Sequence, residues 1–113
     1  MPIVEIYNCS KNISEKEYTE ISEEISFLLN IDPSLVWIIQ HSSIDVKIYK
    51  GKLYNQNAPI IFFNAREKYY RDSIVKCLKI VSEKCAIIFE CKPEQIFCGV
   101  RRIISDEILQ PMP

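Results

Sequence analysis

Apolar residues along the chain switch between strand-like and helix-like spacing, and each switch marks an element. Residues 2–7, Pro-Ile-Val-Glu-Ile-Tyr, are rich in β-branched side chains and predict a strand that ends at the polar run Asn8-Cys9-Ser10-Lys11-Asn12. Ser14 and Glu17 then stand three apart, the spacing of a capping box. Behind them Tyr18, Ile21, Ile25, Leu28 and Leu29 form one apolar stripe at helical spacing, with Glu20, Glu23 and Glu24 off it, so a helix is expected to about Asn30. Asp32-Pro33 breaks it, because the residue before proline is pushed out of the helical region. Leu35 to Ile39 is an unbroken apolar run, which suits a strand covered on both faces. One amphipathic helix covers one face of a small sheet, so the other face must meet something else. This is a first pointer to an oligomer.

Ile44-Asp45-Val46-Lys47-Ile48 alternates, and with Lys50-Gly51 and the polar residues 54–57 it predicts a half-exposed ribbon or hairpin over residues 42–57. Pro59 to Phe63 is again an apolar strand. A second helix follows almost at once, with Tyr70, Ile74, Cys77, Leu78, Val81, Cys85 and Ile88 on one face. Pro93 interrupts, Ile96 to Val100 form a last strand, and residues 103–113 are a tail. The two halves correspond: Pro2-Ile3-Val4 to Pro59-Ile60-Ile61, Ile21/Ile25/Leu28/Leu29 to Val81/Cys85/Ile88/Phe89, and Pro33/Val36/Trp37 to Pro93/Ile96/Phe97. Residues 1–113 are therefore expected to form a single domain with pseudo-repeats at about 2–41 and 59–101, each a right-handed parallel β-α-β unit.

The length of 113 residues supports one core, with subunit association able to add to its stability. A net charge of -1 gives no general attraction to nucleic acid or to anionic membrane, and neither is expected as a partner. No apolar run approaches the ~18 residues of a membrane span and no signal-peptide pattern opens the chain, which reads as cytoplasmic. Cys9, Cys77, Cys85, Cys91 and Cys98 are odd in number and form no C-x-x-C pair, so reduced structural thiols are expected. Their spacing with the lone His41 matches no usual zinc pattern. No metal and no cofactor is expected.

The candidate chemistry lies at the beginning. Removal of Met1 turns the Pro2 nitrogen from an amide without basicity into a secondary amine, and an α-amino group with a pKa of about 8 is lowered further by burial or nearby cations. Such an amine is a competent general base near neutral pH. The plain alternative is an incidental Met-Pro start at the head of a strand.

Met-Pro leading into a short apolar strand, followed by a doubled β-α-β unit of this length, resembles the tautomerase superfamily, which includes 4-oxalocrotonate tautomerase and macrophage migration inhibitory factor. Within it, the His41-Ser42 end of the second strand, the Pro59-to-Asn64 strand and the charged approach to the second helix look most like an uncharacterised tautomerase-like family. The resemblance implies an α+β two-layer fold: duplicated β-α-β units forming a four-stranded mixed sheet with two helices on one face. It also implies a homotrimer whose interior the other sheet face would line. The implied activity is keto-enol or related tautomerisation of a small acidic carbonyl compound, with Pro2 as base and then acid. In that arrangement the C-terminal ends of strands 59–64 and 96–101 lie at the Pro2 end of the sheet. Arg66, at the start of the second helix, and Arg101 are then candidates to hold a carboxylate, with Phe97 walling the pocket. The ordinary readings are solvated cations for Arg66 and Arg101, and core for Phe97.

The residues depart from the relatives' substrate-binding sets. The lysine before the second strand of migration inhibitory factor corresponds to about Ile31, its last-strand asparagine to Gly99 and its tyrosine there to Phe97. The first-helix arginine of 4-oxalocrotonate tautomerase falls near Asn12, beside Lys11, and its strand arginine at Trp37. His41 is expected at the far end from Pro2, in a packing or hydrogen-bonding role. Glu5 is anomalous in an apolar strand, facing an edge or pairing with a cation across a subunit interface. Two other readings stay open: a trimer that binds or builds without catalysis, and a ferredoxin-like ligand-binding domain. Parallel first and second strands lying side by side would exclude the latter.

Overall fold

The structure, a computed structural model, describes residues 2–42, 48–49, 52–53 and 58–104. Its elements are β1 (Ile3–Cys9), α1 (Glu15–Leu29), β2 (Trp37–Ser42), β3 (Ile48–Tyr49), β4 (Lys52–Leu53), β5 (Ile60–Arg66), α2 (Arg71–Ile88) and β6 (Phe97–Ile103). One sheet has the order β2-β1-β5-β6, with β1 parallel to β2, β5 parallel to β6, and the two units joined by antiparallel pairing of β1 with β5. Both helices lie on one face, which gives the expected α+β two-layer architecture. Because β1 and β2 are parallel neighbours, the ferredoxin-like alternative is excluded.

Local chemistry explains the boundaries. The Ser14 hydroxyl accepts from Glu17 N–H, and the Glu17 carboxylate accepts from Ser14 N–H, so the capping box starts α1 where the sequence put it. Asn30 closes α1 in the left-handed conformation at φ 54°, which asparagine tolerates better than most residues. Glu90, at the same φ, follows α2. A short 3₁₀ turn comes next in both halves, Pro33–Leu35 and Pro93–Gln95. The second strand therefore starts later than the apolar run suggested. Asp32 Oδ1 accepts from Ser34 N–H at 2.9 Å, and Pro33 supplies the fixed φ of a helical turn, so Leu35 belongs to the turn and the strand begins at Trp37. β1 runs on to Cys9, past the polar signal at Asn8. Asn8 sits at φ 64° where the pairing with β2 slips, and its side-chain amide donates to Ala58 O at 2.8 Å.

Between the sheet and the helices lies the core. Val4 and Ile6 of β1, Ile61, Phe63 and Ala65 of β5, Ile21 and Ile25 of α1, and Ile74, Val81 and Cys85 of α2 are fully shielded from solvent. Tyr70, expected on the core face of the second helix, is instead its N-cap and largely exposed. The side chain of Gln40 ties β2 to the loop before α1, accepting from Ile13 N–H at 2.8 Å and donating to Asn12 Oδ1 at 3.0 Å. Of the expected ribbon, β3 and β4 form an antiparallel pair, while residues 43–47, 50–51 and 54–57 lie outside the described residues, as do 105–113 of the tail.

Truncation at the centre of this core should be far more damaging than loss of a cap. Phe63→Ala is expected to destabilise by about 3–5 kcal/mol, and Ser14→Ala by about 1 kcal/mol. Urea unfolding midpoints of the two variants against the parent check the ranking.

Candidate active site

Antiparallel pairing of β1 and β5 sets the site. Ile3 is opposite Asn64, and Asn64 is opposite Arg101 on β6. The start of the central strand therefore meets the ends of β5 and β6, which carry Asn64, Arg66, Arg101 and Arg102. Pro2 heads β1, is fully buried, and accepts at its carbonyl from Trp37 N–H at 3.0 Å. Met1 lies outside the described residues.

The arginines at this end differ in their surroundings. Arg66 is the last residue of β5, five positions before α2, and is only 6% exposed; it is neither at the helix start nor a solvated cation. Arg102 donates from Nη1 to the carbonyls of Arg66 and Tyr69 at 3.0 and 2.9 Å, which ties the end of β6 to the turn before α2. Arg101 lies over the Phe62 ring, its Cζ 3.8 Å from the centroid, and stays half exposed. Phe97 meets Phe62 edge-on at 6.1 Å and is 61% exposed, so it stands on the open face of the sheet and not in the core. Phe97 and Arg101 are thus brought together around Phe62, with Gly99 between them in sequence. A Cβ at Gly99 would come within 3.0 Å of the Phe62 ring, so glycine is what lets that ring lie between Phe97 and Arg101.

Sequence reasoning singled out Glu5 as odd without seeing its surroundings. On the open face its carboxylate accepts from the Tyr7 hydroxyl at 2.5 Å and from the Asn64 amide at 3.0 Å. His41 Nε2 is 3.3 Å away and Arg101 Nη1 3.8 Å away. The same Asn64 amide group donates to Ile3 O at 2.9 Å, which links this cluster to the backbone beside Pro2. Tyr7 and His41 stack face to face at 4.1 Å, and Tyr7 meets Phe62 at 6.0 Å, so rings run across the sheet from β2 to β6. His41 Nε2 lies near this carboxylate but is buried without a hydrogen-bond partner among the described residues, and the ring is held by its stacking on Tyr7, in agreement with the packing part of its expected role. The signal that could have found the cluster is the period-two placement of Glu5, Tyr7, His41 and Asn64, which puts all four on one face once strand order is known.

The Tyr7 hydrogen bond, above all, holds the Glu5 carboxyl below its ordinary value of 4.5; partial burial opposes this, and Asn64, Arg101 and His41 reinforce it. In turn Glu5 raises the Tyr7 phenol. The buried thiols are pushed up by desolvation, Cys9 and Cys77 to about 11 and Cys85 to about 12, which makes them poor nucleophiles. Among the described residues no group of His, Cys, Asp and Glu is arranged to hold a metal ion, and no helix is long and apolar enough to cross a membrane.

Two measurements probe this face. A carboxyl with a lowered folded pKa contributes stability that is fully present above its unfolded value and lost as pH falls through the folded value. The acid limb of the stability curve below about pH 4.5 should therefore flatten in Glu5→Gln relative to the parent, read by unfolding at stepped pH. Gly99→Ala should displace the Phe62 ring and destabilise by about 1–3 kcal/mol, with loss of the Phe62–Arg101 contact visible in the aromatic NMR shifts.

No protein-family model and no curated protein matches the sequence. Solved structures do. A fused 4-OT, solved as a wild-type asymmetric trimer, aligns at a TM-score of 0.78 with 11% identity, over 94% of this chain and 89% of its own. A protein solved after inactivation by 2-oxo-3-pentynoate aligns at 0.75 with 10% identity, over 94% and 89%. A domain of unknown function from Sebaldella termitidis aligns at 0.69 with 9% identity, over 97% and 95%. At these identities the likeness is one of fold: the chain has the fold of the tautomerase superfamily.

Proposed function

We propose that the protein is a tautomerase of a small acidic carbonyl compound, with Pro2 as its base after removal of Met1. The observation that carries this reading is the register Ile3–Asn64–Arg101, which sets the head of the central strand among the cation-bearing ends of β5 and β6. Positive charge nearby favours the neutral amine over its protonated form, so it lowers the amine pKa toward neutrality. The amine takes a proton from the carbon next to the carbonyl, and the electron pair moves into the carbonyl to give an enolate. Cationic or hydrogen-bonding groups stabilise the developing oxyanion, and the protonated amine returns its proton at a different atom. In this reading Arg66 and Arg101 hold the substrate carboxylate, and Phe97, with Phe62 beneath, forms an apolar wall that excludes water. The assembly is a homotrimer with the open sheet face turned inward, as the trimeric fused 4-OT suggests.

The test is intact mass before and after treatment with 2-oxo-3-pentynoate, with thiols blocked first. The expected result is a chain lacking Met1 that gains one adduct, mapped to Pro2. In a screen of enolisable 2-oxo acids, Pro2→Ala should then lower kcat by about 10²–10⁴-fold, the usual range for a positioned base. A chain that retains Met1 has no basic nitrogen at Pro2, and that outcome replaces catalysis with a trimer that binds a ligand or serves a structural role.

A further inference from the structure

A terminal amine works as a base only when it points at the carbon it deprotonates, and a chain end is poorly ordered unless something ties it down. Pro2 stands one residue before β1, and once Met1 is removed nothing holds it from the N-terminal side. Its placement is therefore set by the two peptide groups that follow. β2 holds the first, since Trp37 N–H donates to Pro2 O at 3.0 Å. A side chain holds the second: Asn64 Nδ2 donates to Ile3 O at 2.9 Å.

That amide is oriented in turn. Asn64 is 7% exposed, and the same Nδ2 donates to Glu5 Oε1 at 3.0 Å. A backbone carbonyl and a carboxylate only accept hydrogen bonds, so the group between them is the NH2 and both of its hydrogens are engaged. Glu5 is held at its other oxygen, Oε2, by the Tyr7 hydroxyl at 2.5 Å, and the Tyr7 ring stacks on His41 at 4.1 Å. A line of contacts thus runs from β2 through Tyr7 and Glu5 to Asn64, and it ends on the carbonyl one residue from the head of the chain.

We propose that Asn64 is a positioning residue for Pro2: its amide fixes the Ile3 carbonyl and with it the direction of the terminal amine, while Glu5 fixes the amide. This inference rests on the tautomerase reading above and adds to it two residues that act without touching the substrate. Without the Asn64 donor the start of β1 is free to turn, so the amine spends less time in its reactive geometry. A displacement of about 1 Å is enough to lower a rate roughly 10²-fold. Binding of a 2-oxo acid carboxylate, assigned to Arg66 and Arg101, is left as it was.

The experiment follows inactivation of the full chain by a concentration series of 2-oxo-3-pentynoate, on the high-pH plateau where the amine is neutral, with adducts located by peptide mapping. The variants are Asn64→Leu, Asn64→Asp, Glu5→Leu and, as a destabilised control at the start of α1, Ser14→Ala; circular dichroism confirms folding. In Asn64→Leu the maximal rate of Pro2 labelling should fall at least about tenfold, with the half-saturating concentration within about twofold of the parent. Glu5→Leu should lower the maximal rate by a smaller factor, because Asn64 keeps its bond to Ile3 O, and Ser14→Ala should label like the parent. A parental maximal rate in Asn64→Leu, an effect confined to the half-saturating concentration, or an equal fall in Ser14→Ala each overturns the positioning role and leaves the tautomerase reading standing. A parental rate in Glu5→Leu overturns the part given to Glu5. A parent that is not labelled at Pro2 sinks the tautomerase reading, and this inference with it. If Asn64→Leu does not fold, Asn64→Asp decides: it keeps the shape but has no N–H for Ile3 O, so a parental maximal rate there overturns the proposal.

Discussion

The antiparallel contact between β1 and β5 is the constraint on which the rest depends. Each half of the chain is a strand, a helix and a parallel strand, and either half alone would expose a sheet edge and half a core. Pairing Ile3 with Asn64 and Tyr7 with Ile60 puts both helices on one side, where Val4, Ile6, Ile61 and Phe63 meet them. The same register decides which chain ends become neighbours. It carries the head of the first strand to the ends of β5 and β6, so residues sixty to a hundred positions apart in sequence come to share one end of the sheet. A slip of one residue would turn each side chain of a strand to the opposite face, moving Glu5 into the core and Val4 out of it. That sensitivity is what fixes the register.

Much of this was legible in the sequence, because local signals carried it. Ser14 and Glu17 announced α1, and Ile21, Ile25, Ile74, Val81 and Cys85 marked the two buried helix faces by their spacing. The doubled pattern of prolines and apolar runs announced the repeat. Boundaries failed where a short-range hydrogen bond outweighed hydrophobicity, as at Leu35, which the Asp32–Ser34 turn holds outside the strand. Arg66 is a different case: the charged approach to the second helix suggests the helix start, but β5 runs through Arg66 and buries it. For Phe97 the strand pattern leaves pocket wall and core both open, and the structure puts it on the open face. The cluster around Glu5 draws on all four strands of the main sheet, so no window of sequence contains it.

The fold by itself does not determine chemistry. What the structure adds is a division of labour among the cations at the Pro2 end. Arg102 is engaged with the carbonyls of Arg66 and Tyr69, which makes it a fastening of β6 to the following turn. Arg101 is engaged with Glu5 and the Phe62 ring and stays half exposed. Arg66 is buried at the end of β5, where a charge acts over a lower effective dielectric. The tautomerase reading draws on both Arg66 and Arg101, which the structure sets in different surroundings, one buried and one half exposed against Glu5 and the Phe62 ring.

The Glu5–Arg101 pair is the longest of the contacts around the Glu5 carboxylate. At 3.8 Å, with the guanidinium half exposed, such an ion pair contributes ~0–1 kcal/mol to an isolated chain, because the guanidinium keeps much of its water and the separation is too long for a hydrogen bond. Burial alone would make an acid at the centre of an apolar strand costly, but the Tyr7 and Asn64 hydrogen bonds outweigh that cost and hold its pKa down. The carboxylate thus spans the distance between Tyr7, Asn64 and Arg101 within one chain, which no apolar residue could do.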